Sequence, residues 1–166
     1  MEVRRRDHAA EEGVFLADGT CSFEPGDLVG CYAGAIVDGA AREAKRGVAP
    51  RAEEYMYPAN GSHFIDPTSA AGRMQDTSPP YRTEMAVVNE PTRGLPNVYP
   101  FDFEYGRCRD RHGGEGVAYY AARSIEPGDE LLVCYGADFS RGYESTCADT
   151  QLLARWSALQ RMLLRL

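Results

Sequence analysis

ARSIEPGDELLVCYG, residues 122–136, sets apolar runs on either side of Glu126-Pro127-Gly128-Asp129. Pro followed at once by Gly suits a tight turn. The flanking runs, 117–122 and 131–134, are short and suit strands, so the stretch reads as strand, turn and strand, a hairpin. Its second strand ends on Tyr135 beside Gly136. That tyrosine is either the polar end of a core aromatic or a hydroxyl with chemistry to do.

Working outward, the same grammar recurs. Residues 13–17 read as a strand, Phe23-Glu24-Pro25-Gly26-Asp27 as a turn and 28–33 as another strand. A polar segment, 39–54, carries a short helix through 40–45. Strands are expected at 55–57 and 63–65, a Ser/Pro/Gly-rich loop over 66–80, the end of a short helix over 84–89, and a strand over 98–105. The fold class is therefore mainly β with short helices. The tail differs: 148–166 has no Gly or Pro, and Leu152, Leu153, Trp156, Leu159, Met162 and Leu163 share one face at helical spacing. Asp149 or Thr150 suits its cap. This predicts a domain over 1–143 and an amphipathic helix over 144–166, packed on the domain or on a partner, a second copy (a homodimer) included.

At 166 residues, 43% hydrophobic and 26% charged, the chain is long enough for one domain with a real core. Its formal charge of −7 argues against direct nucleic-acid binding and suits solubility or a basic partner. Five cysteines, an odd number with no C-x-x-C pair, argue against a disulfide framework or a structural zinc site. Lys45 is the only lysine. No apolar stretch reaches the length of a membrane span, and 1–6 lacks a signal peptide's apolar region, so a soluble intracellular protein of nucleus or cytoplasm, with no membrane partner, is expected. Asn60-Gly61-Ser62 fits a glycosylation sequon, a weak signal without a secretory leader.

Four motifs in order carry a resemblance. ARSIEPGDELLVCYG resembles the A-x-R-x-I-x-x-G-x-E-L-x-x-x-Y-G segment that closes the SET domain of protein lysine methyltransferases. EEGVFLADGTCSFEPGDLVGCYAGAI, 11–36, resembles that family's opening strand, P-x-G turn and Y-x-G segment, here Tyr32-Ala33-Gly34. HFIDPT, 63–68, is similar to the I-D-A element, and VVNEPTRGLPNVY, 87–99, to the F-I-N-H-S-C-x-P-N core, with Asn89 and Pro96-Asn97 kept. Together they span about residues 3–140.

The resemblance implies a β-clip fold whose closing segment, ending in Tyr135, threads under the loop around Asn89, an exception to un-knotted chains. It implies S-adenosylmethionine as cofactor and methyl transfer to a lysine amine. The substrate implied is a basic, lysine-containing protein or peptide such as a histone tail, with a non-histone protein open. Tyr135 matches the catalytic tyrosine. Glu12, Gly13, Val14 and Phe15 would lay backbone along the cofactor's amino-acid part, Asn89 with Glu90 would bind its adenine end, and Tyr32 and Tyr99 would line the lysine channel. Aromatic walls suit that channel because they exclude water yet tolerate a cation.

Each role has a plainer counterpart: a strand-end aromatic for Tyr135, core aromatics for Tyr32 and Tyr99, a buried strand for 12–15 and a turn for Asn89-Glu90. Tyr55, Tyr57, Tyr119 and Tyr120 are further aromatics, most of them expected to be packing residues. Three departures, Glu11 for a glycine, Glu90 for a histidine and Ala86 for an arginine, support an alternative: a SET-like module without turnover that binds a basic peptide or protein. With no cysteine-rich flanks, no metal is expected, and Cys108 and His112 in GRCRDRHGGEG read as a solvated hairpin tip.

Overall fold

The computed structural model describes residues 1–5, 12–60, 62–73, 83–101, 117–136, 139 and 142–148. The part of the expected 144–166 helix from 149 onward, the loop with Cys108 and His112, the strand residues 102–105, loop residues 74–80 and Glu11 lie outside them.

The chain is mainly β with short helices, as expected. β1 (Glu2–Arg5) pairs antiparallel with β2 (Glu12–Phe15), Glu2 opposite Phe15. β3 is Leu28–Tyr32 and β4 Ala35–Asp38. A helix, α1, covers Gly39–Val48, and a 3-10 turn comes next at Pro50–Tyr55. β5 is Tyr57–Asn60 and β6 His63–Asp66; a second 3-10 turn lies at Thr83–Val87. β7 is Val98–Phe101 and β8 Val117–Ala121, and a last 3-10 turn covers Thr146–Ala148. Two further sheets run in the orders β3-β8-β7 and β4-β6-β5. No helix among the described residues is long and apolar enough to cross a membrane.

α1 runs longer than the expected 40–45 because both of its ends are chemically marked. Asp38 caps it, its carboxylate accepting the Ala41 N–H at 2.8 Å. Lys45 and Arg46 stand in the last turn, where cations suit the helix dipole. Ala49-Pro50 stops it, because a residue before proline avoids helical geometry. Pro50 then opens a 3-10 turn reaching Tyr55, so the strand expected at 55–57 starts only at Tyr57.

The chain clusters into two compact units. One comprises Met1–Val29, Val88–Tyr99 and Tyr120–Leu166, the other Gly30–Val87 and Pro100–Tyr119. In the first, Val14, Leu16, Val88, Val98, Tyr99, Ile125, Leu131 and Val133 are buried. In the second the buried set includes Cys31, Tyr32, Ile65, Met85 and Tyr119. There Lys45 pairs with Asp66, itself buried, and also donates to the Thr68 carbonyl at 2.9 Å. Asp66 further accepts the Thr68 N–H and hydroxyl, at 2.9 and 2.6 Å. Gly34 backs onto this turn so closely that a Cβ would collide with the Asp66 backbone, which accounts for the glycine in Tyr32-Ala33-Gly34.

The hairpin reading of 122–136 is corrected. Its turn is present, with the Asp129 N–H on the Glu126 carbonyl at 2.9 Å, but 131–134 is no regular strand and does not pair with β8, whose sheet neighbours are β3 and β7. Residues 128–133 instead bond to the opening strand and to the 89–98 stretch. Leu16 N–H donates to Asp129 and Leu131 N–H to Val14, at 2.9 and 2.7 Å; Val133 N–H donates to Asn89 at 2.9 Å, and Leu132 accepts Asn97 and Val98 N–H at 3.0 Å. Single bridges, antiparallel at Phe15 with Glu130 and parallel at Asn89 with Leu132, replace a ladder. Burial still alternates along the segment: Leu131 and Val133 are inside while Leu132 and Cys134 are half-buried.

The cysteine reading is also corrected. Cys134 is bonded to Cys147, 13 residues on, and Cys31 is disulfide-bonded too, while Cys21 is an exposed thiol. An odd count and the lack of close pairs say nothing about cysteines that the fold brings together.

Candidate functional site

Of the proposed cofactor-binding residues, Glu12 and Gly13 meet Asn89, and Tyr135 meets Val88 and Glu90, all within the first unit. The Asn89 side-chain N–H donates to the Glu12 carbonyl at 2.7 Å and reaches Glu130 Oε1 at 3.3 Å. Gly13 lies between them: a Cβ there would stand 2.5 Å from Glu130 Oε1 and 3.3 Å from Asn89 Nδ2. The glycine thus admits a carboxylate and an amide to the backbone of β2. Val14 is fully buried and Phe15 half-buried, so in β2 it is the backbone at Glu12 and Gly13 that faces these polar groups.

Tyr135 is pinned at both ends by the two outer residues of the triplet Val88-Asn89-Glu90. Its hydroxyl donates to the Val88 carbonyl at 2.8 Å, and its backbone N–H donates to Glu90 Oε1 at 2.6 Å. The side chain is nevertheless 39% exposed, and Phe139 stands edge-on to its ring with centroids 4.7 Å apart. A phenol whose proton is held by a carbonyl presents its oxygen as an acceptor.

Glu90, expected at the adenine end of a cofactor, is buried, and its Oε2 accepts the Tyr143 hydroxyl at 3.1 Å. The neighbouring 142–148 stretch is fastened to the same loop: the Ser145 hydroxyl donates to the Pro91 carbonyl at 3.0 Å and the Thr146 hydroxyl to Gly94 at 2.7 Å.

The two channel candidates lie in different units. Tyr32, in the second, is buried, its hydroxyl donating to the Tyr55 carbonyl. Its ring packs with those of Tyr57 and Tyr119 at centroid distances of 5.4 and 6.3 Å. Tyr99, in the first, is 1% exposed and stacks on Tyr120 at 5.8 Å. Its buried hydroxyl has no hydrogen-bond partner, and burial raises its pKa above the usual phenol value because the phenolate would lose its water.

Two residues that sequence reading passed over complete the site. Asn97 is buried and splices the closing segment in place, donating to the Glu130 carbonyl at 2.8 Å and accepting the Leu132 N–H at 2.7 Å. Glu130 sets its carboxylate between Gly13 and Asn89. Both sit inside quoted motifs, Pro96-Asn97 and Gly-x-Glu-Leu, and that was the available signal.

No protein-family model matches the chain, and no curated protein sequence does. Solved structures do. Polycomb Repressive Complex 2 of Chaetomium thermophilum, in an autoinhibited conformation bound to S-adenosylmethionine, superposes with a TM-score of 0.54 at 20% identity over 92% of this chain and 16% of that one. A humanized mutant of the same complex bound to an inhibitor gives 0.54 at 20% identity, over 84% and 15%. A further inhibitor-bound form gives 0.53 at 20%, over 92% and 17%. This chain therefore spans less than a fifth of the length of the solved chains it matches. At this identity the likeness bears on architecture alone, and the architecture is the SET-domain fold.

Proposed function

We propose that the chain transfers a methyl group from S-adenosylmethionine to a lysine amine of a basic protein or peptide, with Tyr135 as the catalytic residue. The observation that carries this reading is the Tyr135 hydroxyl, anchored on Val88 yet on a residue more than a third exposed, beside the Asn89 loop.

The donor set fits the cofactor. Glu130 and the Glu12 carbonyl suit its ammonium, on a backbone kept open by Gly13 and held in place by the Asn89 amide. When bound, S-adenosylmethionine supplies an electrophilic methyl group on a positive sulfur. The chain's own task is positioning, which can supply most of the rate for an in-line transfer. The Tyr135 oxygen accepts an N–H from the incoming amine and turns its lone pair toward the methyl group. The amine must be neutral, and burial beside a second positive centre lowers its pKa. A net charge of −7 favours an Arg/Lys-rich substrate such as a histone tail, with attraction that falls as salt rises.

The test pairs binding with turnover. S-adenosylmethionine should raise the melting temperature by mass action. On a peptide array with labelled cofactor, Tyr135→Phe should lower the rate about 10²- to 10³-fold while costing about 1 kcal/mol of stability for the lost hydrogen bond. No thermal shift at millimolar cofactor would instead favour a module that binds a basic partner without turnover. Turnover within a few-fold of wild type would remove Tyr135 from the mechanism.

A further inference from the structure

Glu90 stands where the resembled motif carries a histidine, and its carboxylate is buried deep beside the Cys134–Cys147 bond, within 4.8 Å of both sulfurs. A buried carboxylate is tolerated only when its oxygens are hydrogen-bonded. Among the described residues each oxygen has a donor from an aromatic residue of the exposed rim: the Tyr135 backbone N–H on Oε1 and the Tyr143 hydroxyl on Oε2.

Val88, Asn89 and Glu90 divide the work between them. Val88 holds the far end of Tyr135, Glu90 holds its near end, and Asn89 holds the Glu12 carbonyl. We propose that Glu90 is a positioning residue: its carboxylate fixes the backbone at Tyr135, and so the place of the Tyr135 hydroxyl, and ties Tyr143 to the same point instead of contacting the cofactor. This role rests on the methyl-transfer reading for its kinetic consequence, though not for its structural one. Oxygens turned onto Tyr135 and Tyr143 face the protein's own groups, whereas a cofactor ligand would lose affinity when removed.

The experiment compares Glu90→Ala, Glu90→Gln and Tyr143→Phe by three readouts: amide hydrogen exchange at Tyr135, calorimetric affinity for S-adenosylmethionine, and kcat on a substrate found with the wild-type chain. Glu90→Ala should speed Tyr135 exchange about tenfold or more and lower kcat by up to about 10²-fold, with cofactor affinity kept within about threefold. Glu90→Gln retains an acceptor oxygen of the same reach and should restore both exchange and kcat to within about threefold of wild type. Tyr143→Phe should leave Tyr135 exchange unchanged. If Glu90→Ala fails to fold, Glu90→Gln still decides. Cofactor affinity falling in step with kcat would make Glu90 a cofactor ligand, and unchanged exchange at Tyr135 in a folded Glu90→Ala would overturn the positioning role. If the wild-type chain methylates nothing on the array, the methyl-transfer reading fails, and the exchange data alone accept or reject the Glu90 contact.

Discussion

Glu24-Pro25-Gly26-Asp27 and Glu126-Pro127-Gly128-Asp129 are the same four residues, and they fold alike. In each the aspartate carboxylate accepts the glutamate N–H, at 2.9 and 3.0 Å, and the aspartate N–H returns to the glutamate carbonyl, at 3.0 and 2.9 Å. Gly26 and Gly128 take φ of 92° and 93°. The turns even lie side by side, Phe23 and Ile125 exchanging backbone bonds at 3.0 and 2.9 Å. The segments they lead into differ. Leu28–Tyr32 runs on as β3 in a regular sheet, while 130–135 is held by single bridges, by side chains of Asn97 and Glu90, and by the Cys134–Cys147 bond. A turn is made by four residues and their own hydrogen bonds; the segment after it is made by whatever neighbours it finds.

The strongest way to break this contrast is to remove the disulfide that ties the second segment to the 142–148 stretch. Cys134→Ala with Cys147→Ala opens a loop of 13 residues and should cost about 3 kcal/mol in denaturant unfolding. A loss below about 1 kcal/mol would mean the polar contacts alone hold the segment. Next is Asn97→Ala, which strips partners from the Glu130 carbonyl and the Leu132 N–H and should cost about 2 kcal/mol. Exchange at Leu132 should accelerate while β3 amides stay protected; equal acceleration in both would erase the distinction. The smallest effect sharpens the similarity. Gly26→Ala and Gly128→Ala each force a side chain into left-handed backbone with nothing closer than 3.9 Å to obstruct it. Each should cost about 1 kcal/mol, matched to within about 0.5 kcal/mol. A larger gap would show that one turn carries tertiary strain.

The turns, the β-rich character and the places of β2, β3, β6 and β8 were legible because each rests on local chemistry: Pro-Gly pairs and short apolar runs. Residues 131–134 show why legibility stops there. Their short apolar run marked an extended segment correctly, but only tertiary pairing decides whether its neighbour is β8 or the 89–98 stretch. The end of α1 at Val48 and the 3-10 turn to Tyr55 come from Ala49-Pro50, a local signal that was present and given too little weight. The Cys134–Cys147 bond could not be read from a count, since it depends on bringing 147 back to 134. At the site, Asn89 and Tyr135 stood out by motif, and the structure places them within one hydrogen-bonded cluster. Glu90 looked like a missing histidine, and nothing in the sequence could show that Tyr135 and Tyr143 would donate to it.

The pairing of Lys45 with Asp66 and the Thr68 carbonyl reaches beyond the packing of α1. Within these 166 residues it is the sole lysine, and its side chain is 12% exposed. Amine-directed reactions, whether acylating labels, ubiquitin conjugation or methylation by a second copy, find that one lysine side chain largely covered and held by its carboxylate partner. A labelled-methyl assay on the protein therefore starts from a low background at lysine, and any signal on an added peptide belongs to the peptide.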